Sequence, residues 1–520
     1  MILALAVAAL LGAGCASSSS TPTADKSFTY SAISQIMIGW DPSTSYSNEV
    51  LAMQNMYETL TRYNAQTAKA EPLLATKWTS SEDAKTWTFD LRKDVTFHTG
   101  RPVTAAAVKA SIDRTIKLNE GAAGIWSAVD SISTEGQNRV IFKLKFPASL
   151  DLVASASYAA YIYDTKVAPA KDLKKWFADG NEAGTGPYRL ASWKKGQDVE
   201  VRLKSYAKYW GGWDGEHYDR LVFRVVPAAT TAAQLLRSGE VDFVQRLGPQ
   251  LAGSFKDDDN VVVTAQPSWQ NLIAMYNTTR APLNDKRVRQ AISYAIPYDG
   301  IIDSLKGGVA PSSGIIPEGL WGYTEDLPNF TYDTAKAKQL LEQAGYGPGG
   351  KPIKLSLTYV QGDTDEQQVA TLMKSELAQL NVDVDVQALQ WQTQWSKAQS
   401  ENESERQDML LWYWWPDYPN PYSWFKSLFR TESPPYANLA YYSNPSVDKQ
   451  IDEVDPLAAT DRDAAIAVYK DIQEQLLEDA PAVSVYTQVY QRAMLAGIGG
   501  FEENPAYPNV VFGYDLTPPE

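Results

Sequence analysis

The chain has 520 residues, of which 44% are hydrophobic and 21% charged, and its formal net charge is -15. That length holds roughly three domains of ~150 residues, and the composition is that of a globular protein able to bury a sizeable core. The acidic balance argues against nucleic acid, whose phosphates need a basic face, and otherwise describes a solvated surface.

Residues 1–14 are the first predicted element. Ile2 to Gly14 is an apolar or glycine run, too short to span a bilayer and of the kind found in the core of a secretory signal. It ends in Leu11-Gly12-Ala13-Gly14-Cys15, which is similar to a bacterial lipobox, where the leader is cut before the cysteine and the thiol carries lipid. Gly12 departs from the leucine usual at its position, and no Lys or Arg precedes the run, which implies a start a few codons upstream of Met1. A buried free cysteine in an N-terminal helix is the alternative. The polar stretch Cys15 to Asp25 weighs against it, because it carries too little apolar surface to order itself and reads as a tether over 15–26. Cys15 is the sole cysteine, so no disulfide forms within the monomer. The expectation is a soluble, monomeric body leashed outside the cytoplasmic membrane.

Further along, Thr86–Leu91 alternates apolar and polar residues and predicts a half-buried strand. Thr104 is placed to cap a helix with Val108, Ile112 and Ile116 on its inner face, and Arg139–Phe146 alternates again. These make a small mixed unit over 61–184. Gly184–Leu190 predicts a turn into a strand. Its glycines suggest a tight backbone approach, since their spacing fits neither a P-loop nor a dinucleotide fold. Asp198–Leu203 predicts another strand.

From Asn284 helices and strands alternate. Val288, Ala291, Ile292, Ala295 and Ile296 share one helical face; Asp333 caps a helix through Ala337, Leu340, Leu341 and Ala344, closed by Gly345. A strand over Ile353–Tyr359, a helix over Val369–Leu380 and a strand at Val382, Val384 and Val386 follow. Tyr469, Ile472 and Leu476 mark a later helix, and Val483–Tyr486 a strand. The pattern is α/β.

Within this lobe lies Leu410–Phe425, LLWYWWPDYPNPYSWF. The run Met409–Trp415 predicts a buried strand that Pro416 must stop, because proline fixes φ and removes a donor. Asp417 then sits at a strand end among flat aromatic side chains. A carboxylate so placed can hold a cationic or hydroxylated ligand group while the rings take its apolar faces; an aromatic core strand followed by a proline turn explains the same residues.

Several stretches together resemble one family. They are Tyr57-Glu-Thr-Leu60, Glu71–Trp78, Trp87–His98 with Gly100–Val103, Gly184–Leu190, Leu235–Asp242, Asn284–Ile292 and Tyr332–Leu341. In that order they resemble the family 5 extracellular solute-binding proteins, the oligopeptide-, dipeptide- and nickel-type receptors of ABC importers. The resemblance implies a two-lobed, periplasmic-binding-protein-like α/β fold (class II, with an extra subdomain). Lobe one would comprise 27–60, 185–275 and 487–520, the extra subdomain 61–184, and lobe two 276–486. The chain would cross between lobes near Met275–Asn277 and Val485–Thr487, with a hinge there and the ligand in the cleft. It further implies a strand-end acid that receives a peptide's terminal ammonium. By position this is Asp417, flanked by Trp414 and Trp415, one of which alternation should send inward and the other to the core. Tyr46 and Tyr486 fall where the family brings an N-terminal loop and the hinge to the ligand. One departure stands out: dipeptide receptors of the family carry an arginine after the strand equivalent to Ile353–Tyr359, whereas the loop Tyr359–Glu366 here has no Lys or Arg. A free C-terminal carboxylate would meet Asp363 and Asp365 there, which argues against strict dipeptide specificity and leaves longer peptides.

The expected function is thus a lipid-anchored receptor that captures a small solute, an oligopeptide foremost, and delivers it to a membrane permease. An alternative ligand is an oligosaccharide stacked on tryptophan, for which Trp40, Trp321, Trp391 and Trp395 would join Trp414 and Trp415. A secreted glycoside hydrolase is more remote, since nothing in the sequence holds two carboxylates at a working separation. His98 and His217, each expected at the surface or in a strand, form no nucleophile–base arrangement and no metal-ligand cluster. No cofactor is expected.

Overall fold

The computed structural model describes residues 26–33, 36, 39–193 and 200–519. The signal-like run, Cys15 and most of the tether lie outside them. Two long strands, Val261–Tyr276 and Ala482–Leu495, pair antiparallel and form the spine of an eleven-stranded sheet. Their neighbours differ at the two ends. Residues 271–276 pair with Met409–Trp414, which leads to Ile353–Val360 and Val382–Leu389 at one edge. At the other end Phe243–Val244 pairs with Ala493 and Met494, and the sheet continues through Ser27–Ala32, Arg220–Val225, Glu200–Ser205 and Tyr188–Trp193.

The ladder of the spine shifts register between Pro267 and Asn271. Ser268 turns its hydroxyl onto the Gln488 carbonyl there, at 2.5 Å. Beyond that shift the apolar run Leu272–Tyr276 pairs with the Met409–Trp414 strand.

Local rules hold elsewhere. Thr104 accepts from the Ala107 N–H and caps Ala105–Leu118, with Val108 and Ile112 buried. Asp285 caps Lys286–Tyr294, which stops short of the predicted Ile296 because Pro297 disfavours the helical region before it. Asp333 caps Thr334–Gln343, and Gly345 takes the left-handed φ of +83° that ends a helix. Between residues 75 and 144 a separate antiparallel sheet of four strands forms in the order Ala75–Ser80, Thr86–Leu91, Arg139–Leu144, Val129–Glu135.

The glycines of Gly184–Leu190 serve close approach. A side chain at Gly184 would overlap the Met56 carbonyl oxygen, and Gly186 donates its N–H to that oxygen at 2.9 Å. His98 is tied into the same joint rather than lying at the surface. It is 7% exposed, with Nδ1 2.6 Å from Glu182 Oε2 and Nε2 2.9 Å from the Gly186 carbonyl. Histidine next to a glycine turn gave no sign of this, because Glu182 meets it only through the fold.

Candidate functional site

Where the halves meet, a cavity of about 510 Å³ opens beside the strand Met409–Trp414. Alternation along that strand sends Leu410, Trp412 and Trp414 to one face and Met409, Leu411 and Tyr413 to the other, each face joining a different core. The helix Trp391–Ala398 lays two more rings against the first face. Trp391 stacks near-parallel on Trp412 at 6.3 Å, Trp395 sits 5.6 Å from Trp412, and Trp414 5.3 Å from it. Tyr436 meets Trp395 edge-on at 6.1 Å. The result is a continuous aromatic wall. The indole N–H groups of Trp412 and Trp414 are buried without a hydrogen-bond partner among the described residues.

At the end of this wall Asp417 lines the cavity. Its backbone N–H donates to Ser423 Oγ at 3.0 Å, and its carbonyl accepts from the Ser157 N–H at 3.1 Å, so the main chain is pinned from both sides. The carboxylate itself is nearly bare: the Ser423 hydroxyl, 3.5 Å from Oδ2, is its one hydrogen bond among the described residues. Burial pushes its pKa up to about 7, with Ser423 and then Lys426 pulling the other way. Opposite, the 46–49 turn is held by Glu49, whose Oε1 accepts from the N–H groups of Tyr46 (2.7 Å) and Ser47 (3.1 Å). Burial raises the Glu49 carboxyl to about 7 as well.

The third side is acidic and already occupied. Asp363 caps the helix Thr364–Gln379, accepting from the Asp365 and Glu366 N–H groups at 3.0 Å. Glu366, buried and pushed well above the usual carboxylate range by that burial, accepts from the Val360 N–H at 2.6 Å. Across from them Arg246, in the loop after Phe243–Val244, places Nη2 3.5 Å from Oδ2 of both Asp363 and Asp365. The arginine that loop 359–366 lacks is thus supplied by a distant segment. Asp363 and Asp365 are consequently not free to repel a ligand carboxylate as the sequence suggests.

A sequence model of the bacterial extracellular solute-binding proteins, family 5, matches residues 69–434, well over half the chain. The chain belongs to this family. It is 29% identical over 479 residues, 90% of each chain, to the probable D,D-dipeptide-binding periplasmic protein DdpA of Escherichia coli K12. Among solved structures it is similar to the ABC transporter-associated periplasmic binding protein DppA of Helicobacter pylori in complex with the peptide STSA. That match has a TM-score of 0.83 and 23% identity, covering 95% of this chain and 97% of the other. Another is NikA of Staphylococcus aureus in complex with Ni(L-His)2, with a TM-score of 0.81 and 19% identity, covering 95% and 99%. The fold is accordingly the two-lobed periplasmic-binding-protein fold, and the relatives are solute-binding proteins rather than enzymes.

In this solute-binding protein Tyr46, Trp414, Trp415 and Asp417 all line the one cavity. Trp414 and Trp415 do not divide between cavity and core, because the strand ends at Trp414 and alternation no longer governs the next residue. Trp415 instead donates its indole N–H to the Tyr158 hydroxyl at 3.1 Å. Tyr486 is different. It is fully buried behind the wall, its hydroxyl 2.7 Å from that of Tyr413, which does line the cavity. Strand pairing with Leu272 directs it into the core on that side. Cys15 lies outside the described residues. Arg246, Gln270, Glu366 and Tyr436 escaped sequence reasoning.

Proposed function

We propose that this solute-binding protein captures an oligopeptide by its free α-ammonium and delivers it to the permease of an ABC importer, from a lipid anchor at Cys15 on the outer side of the membrane. The carrying observation is Asp417: a carboxylate with one long hydrogen bond and no ion pair among the described residues, and an aromatic-walled cavity in front of it. A desolvated carboxylate is costly until it receives a cation or several donors, and an ammonium supplies both. Trp414 and Trp415 then take the apolar faces of the first residues, Tyr46 closes from the opposite lobe, and Tyr486 steadies Tyr413 from behind. The buried indole N–H groups of Trp412 and Trp414 are donors in want of peptide carbonyls. Similarity to a D,D-dipeptide-binding relative and to a peptide-bound structure supports the same ligand class.

Residues 27–60, 185–275 and 487–520 would move as one lobe and 276–486 as the other, with 61–184 leaning on the first and the flexing point in the spine. Closure is favoured by whatever contacts the ligand makes in the closed state alone. The tryptophan wall favours one second reading, an oligosaccharide stacked on Trp391, Trp395, Trp412 and Trp414, with Asp417 accepting hydroxyls.

A thermal-shift panel on the purified chain separates them, using peptides of two to eight residues, cello-, xylo- and malto-oligosaccharides, and a nickel–histidine chelate. A ligand at a hundredfold its Kd stabilises by about 2.7 kcal/mol. A shift with peptides supports the proposal. A shift with sugars alone, or with the chelate alone, refutes it.

A further inference from the structure

The cleft does not end at Asp417. A second cavity of about 730 Å³ lies beyond it and shares Asp417 and Tyr436 with the first. One wall is the helix Tyr422–Phe429 with the chain that follows it; the other is the turn 119–128 of the unit that carries the four-stranded sheet. At this volume it is itself the size of a small-molecule site.

Its floor holds Asp455, on the helix Pro445–Ala458. Asp455 is 5% exposed, and its carboxylate makes no hydrogen bond and no ion pair with any described residue. Burial pushes the carboxyl up to about 7, and Lys426 opposes that shift. A buried carboxylate with empty lone pairs is the kind of group that folded chains otherwise satisfy. Around it stand the rings of Tyr418 and Tyr422, both nearly buried, whose hydroxyls also lack a hydrogen bond among the described residues.

The cations of this chamber are engaged by other groups, although Lys426 Nζ also lies 5.7 Å from the Tyr422 ring centroid. Lys426 donates its ammonium to Ser127 Oγ at 2.6 Å and the Gly124 carbonyl at 3.5 Å, on the opposite wall. Arg430 is held by both oxygens of Asp452, at 2.6 and 2.9 Å. Asp417 and Asp455 are thus two carboxylates facing one chamber, neither in an ion pair with a described residue, with Lys426 acting on both from beyond ion-pair distance.

We propose that the second chamber receives a side-chain cation of the bound solute, a lysine ammonium or arginine guanidinium, with Asp455 as counter-ion and the Tyr418 and Tyr422 rings alongside. This rests on the peptide reading: Asp417 holds the α-ammonium at the junction, and a side chain of the same peptide passes beyond it. A carboxylate and tyrosine faces together select a cation over a neutral chain of equal length.

Isothermal titration of the full chain, kept in mild detergent, tests this with alanine tetrapeptides carrying lysine, norleucine or glutamate at each position in turn. At one position lysine should bind about tenfold tighter than norleucine, the yield of one charge-assisted contact, and glutamate more weakly than either. In Asp455→Asn that lysine-to-norleucine ratio should fall to within about twofold, whatever the absolute affinities. Because the ratio is taken within one folded protein, a loss of stability cannot imitate the result. Norleucine equal to lysine at every position, or a ratio unchanged in D455N, overturns the chamber assignment alone. Failure of all the tetrapeptides to bind overturns the peptide reading, and this proposal with it.

Discussion

Asp417→Asn removes one charge and leaves the shape. The main chain at this residue is pinned by Ser423 and Ser157 whatever the side chain, so the variant should fold. The carboxylate has one 3.5 Å hydrogen bond to lose, to a hydroxyl that can equally face an amide. What changes is its partner in the complex. A hydrogen bond to a charged group is worth about 1.5–3 kcal/mol, so peptide affinity should fall by roughly 10- to 150-fold. Burial raises the parent's carboxyl to about 7, so part of it is protonated at neutral pH, which trims this loss. Titration calorimetry with a free peptide and its N-acetylated twin reads the effect. Acetylation should cost the parent about as much as the mutation does, and D417N should scarcely distinguish the two peptides. An equal preference for the free amine in parent and D417N would refute the ammonium assignment.

Peptide affinity should follow a bell against pH. The Asp417 carboxyl takes a proton as pH falls through about 7, costing up to roughly tenfold per unit below it, and the peptide α-amine loses its proton above ~8. A flat profile between pH 5.5 and 7, or an acid limb that survives in D417N, contradicts this. Arg246→Met strands Asp363 and Asp365 without their cation, and breaking these half-buried pairs from one side should cost about 1–3 kcal/mol in urea unfolding. Adding Asp365→Asn should return part of that loss; strict additivity of the two changes would show that they do not interact. Gly184→Ala drives a methyl into the Met56 carbonyl and should destabilise by about 1–3 kcal/mol, with an unchanged urea midpoint as the contrary result.

Most of what could be read from the sequence is set by contacts within a few residues. The caps at Thr104 and Asp333, the alternating strands and the stop at Pro416 are of this kind, and the structure keeps them. So is the position of Asp417 just past a strand, among rings that had to be on one side or the other. The tight glycines of 184–186 were legible because glycine has one common reason to recur beside a strand. What only the tertiary structure decided involves partners far apart in the chain. Arg246 reaches Asp363 across a separation of 117 residues, and no local pattern marks either as the other's partner. Tyr486 lies behind the wall rather than in it because of the residue it pairs with on the neighbouring strand. Asp455 looks like any acid on a helix, yet packing buries it at the floor of a chamber where no described residue donates to its oxygens. Periodicity tells which face of an element is apolar, but not which other element arrives there, and the charges of this site are set by those arrivals.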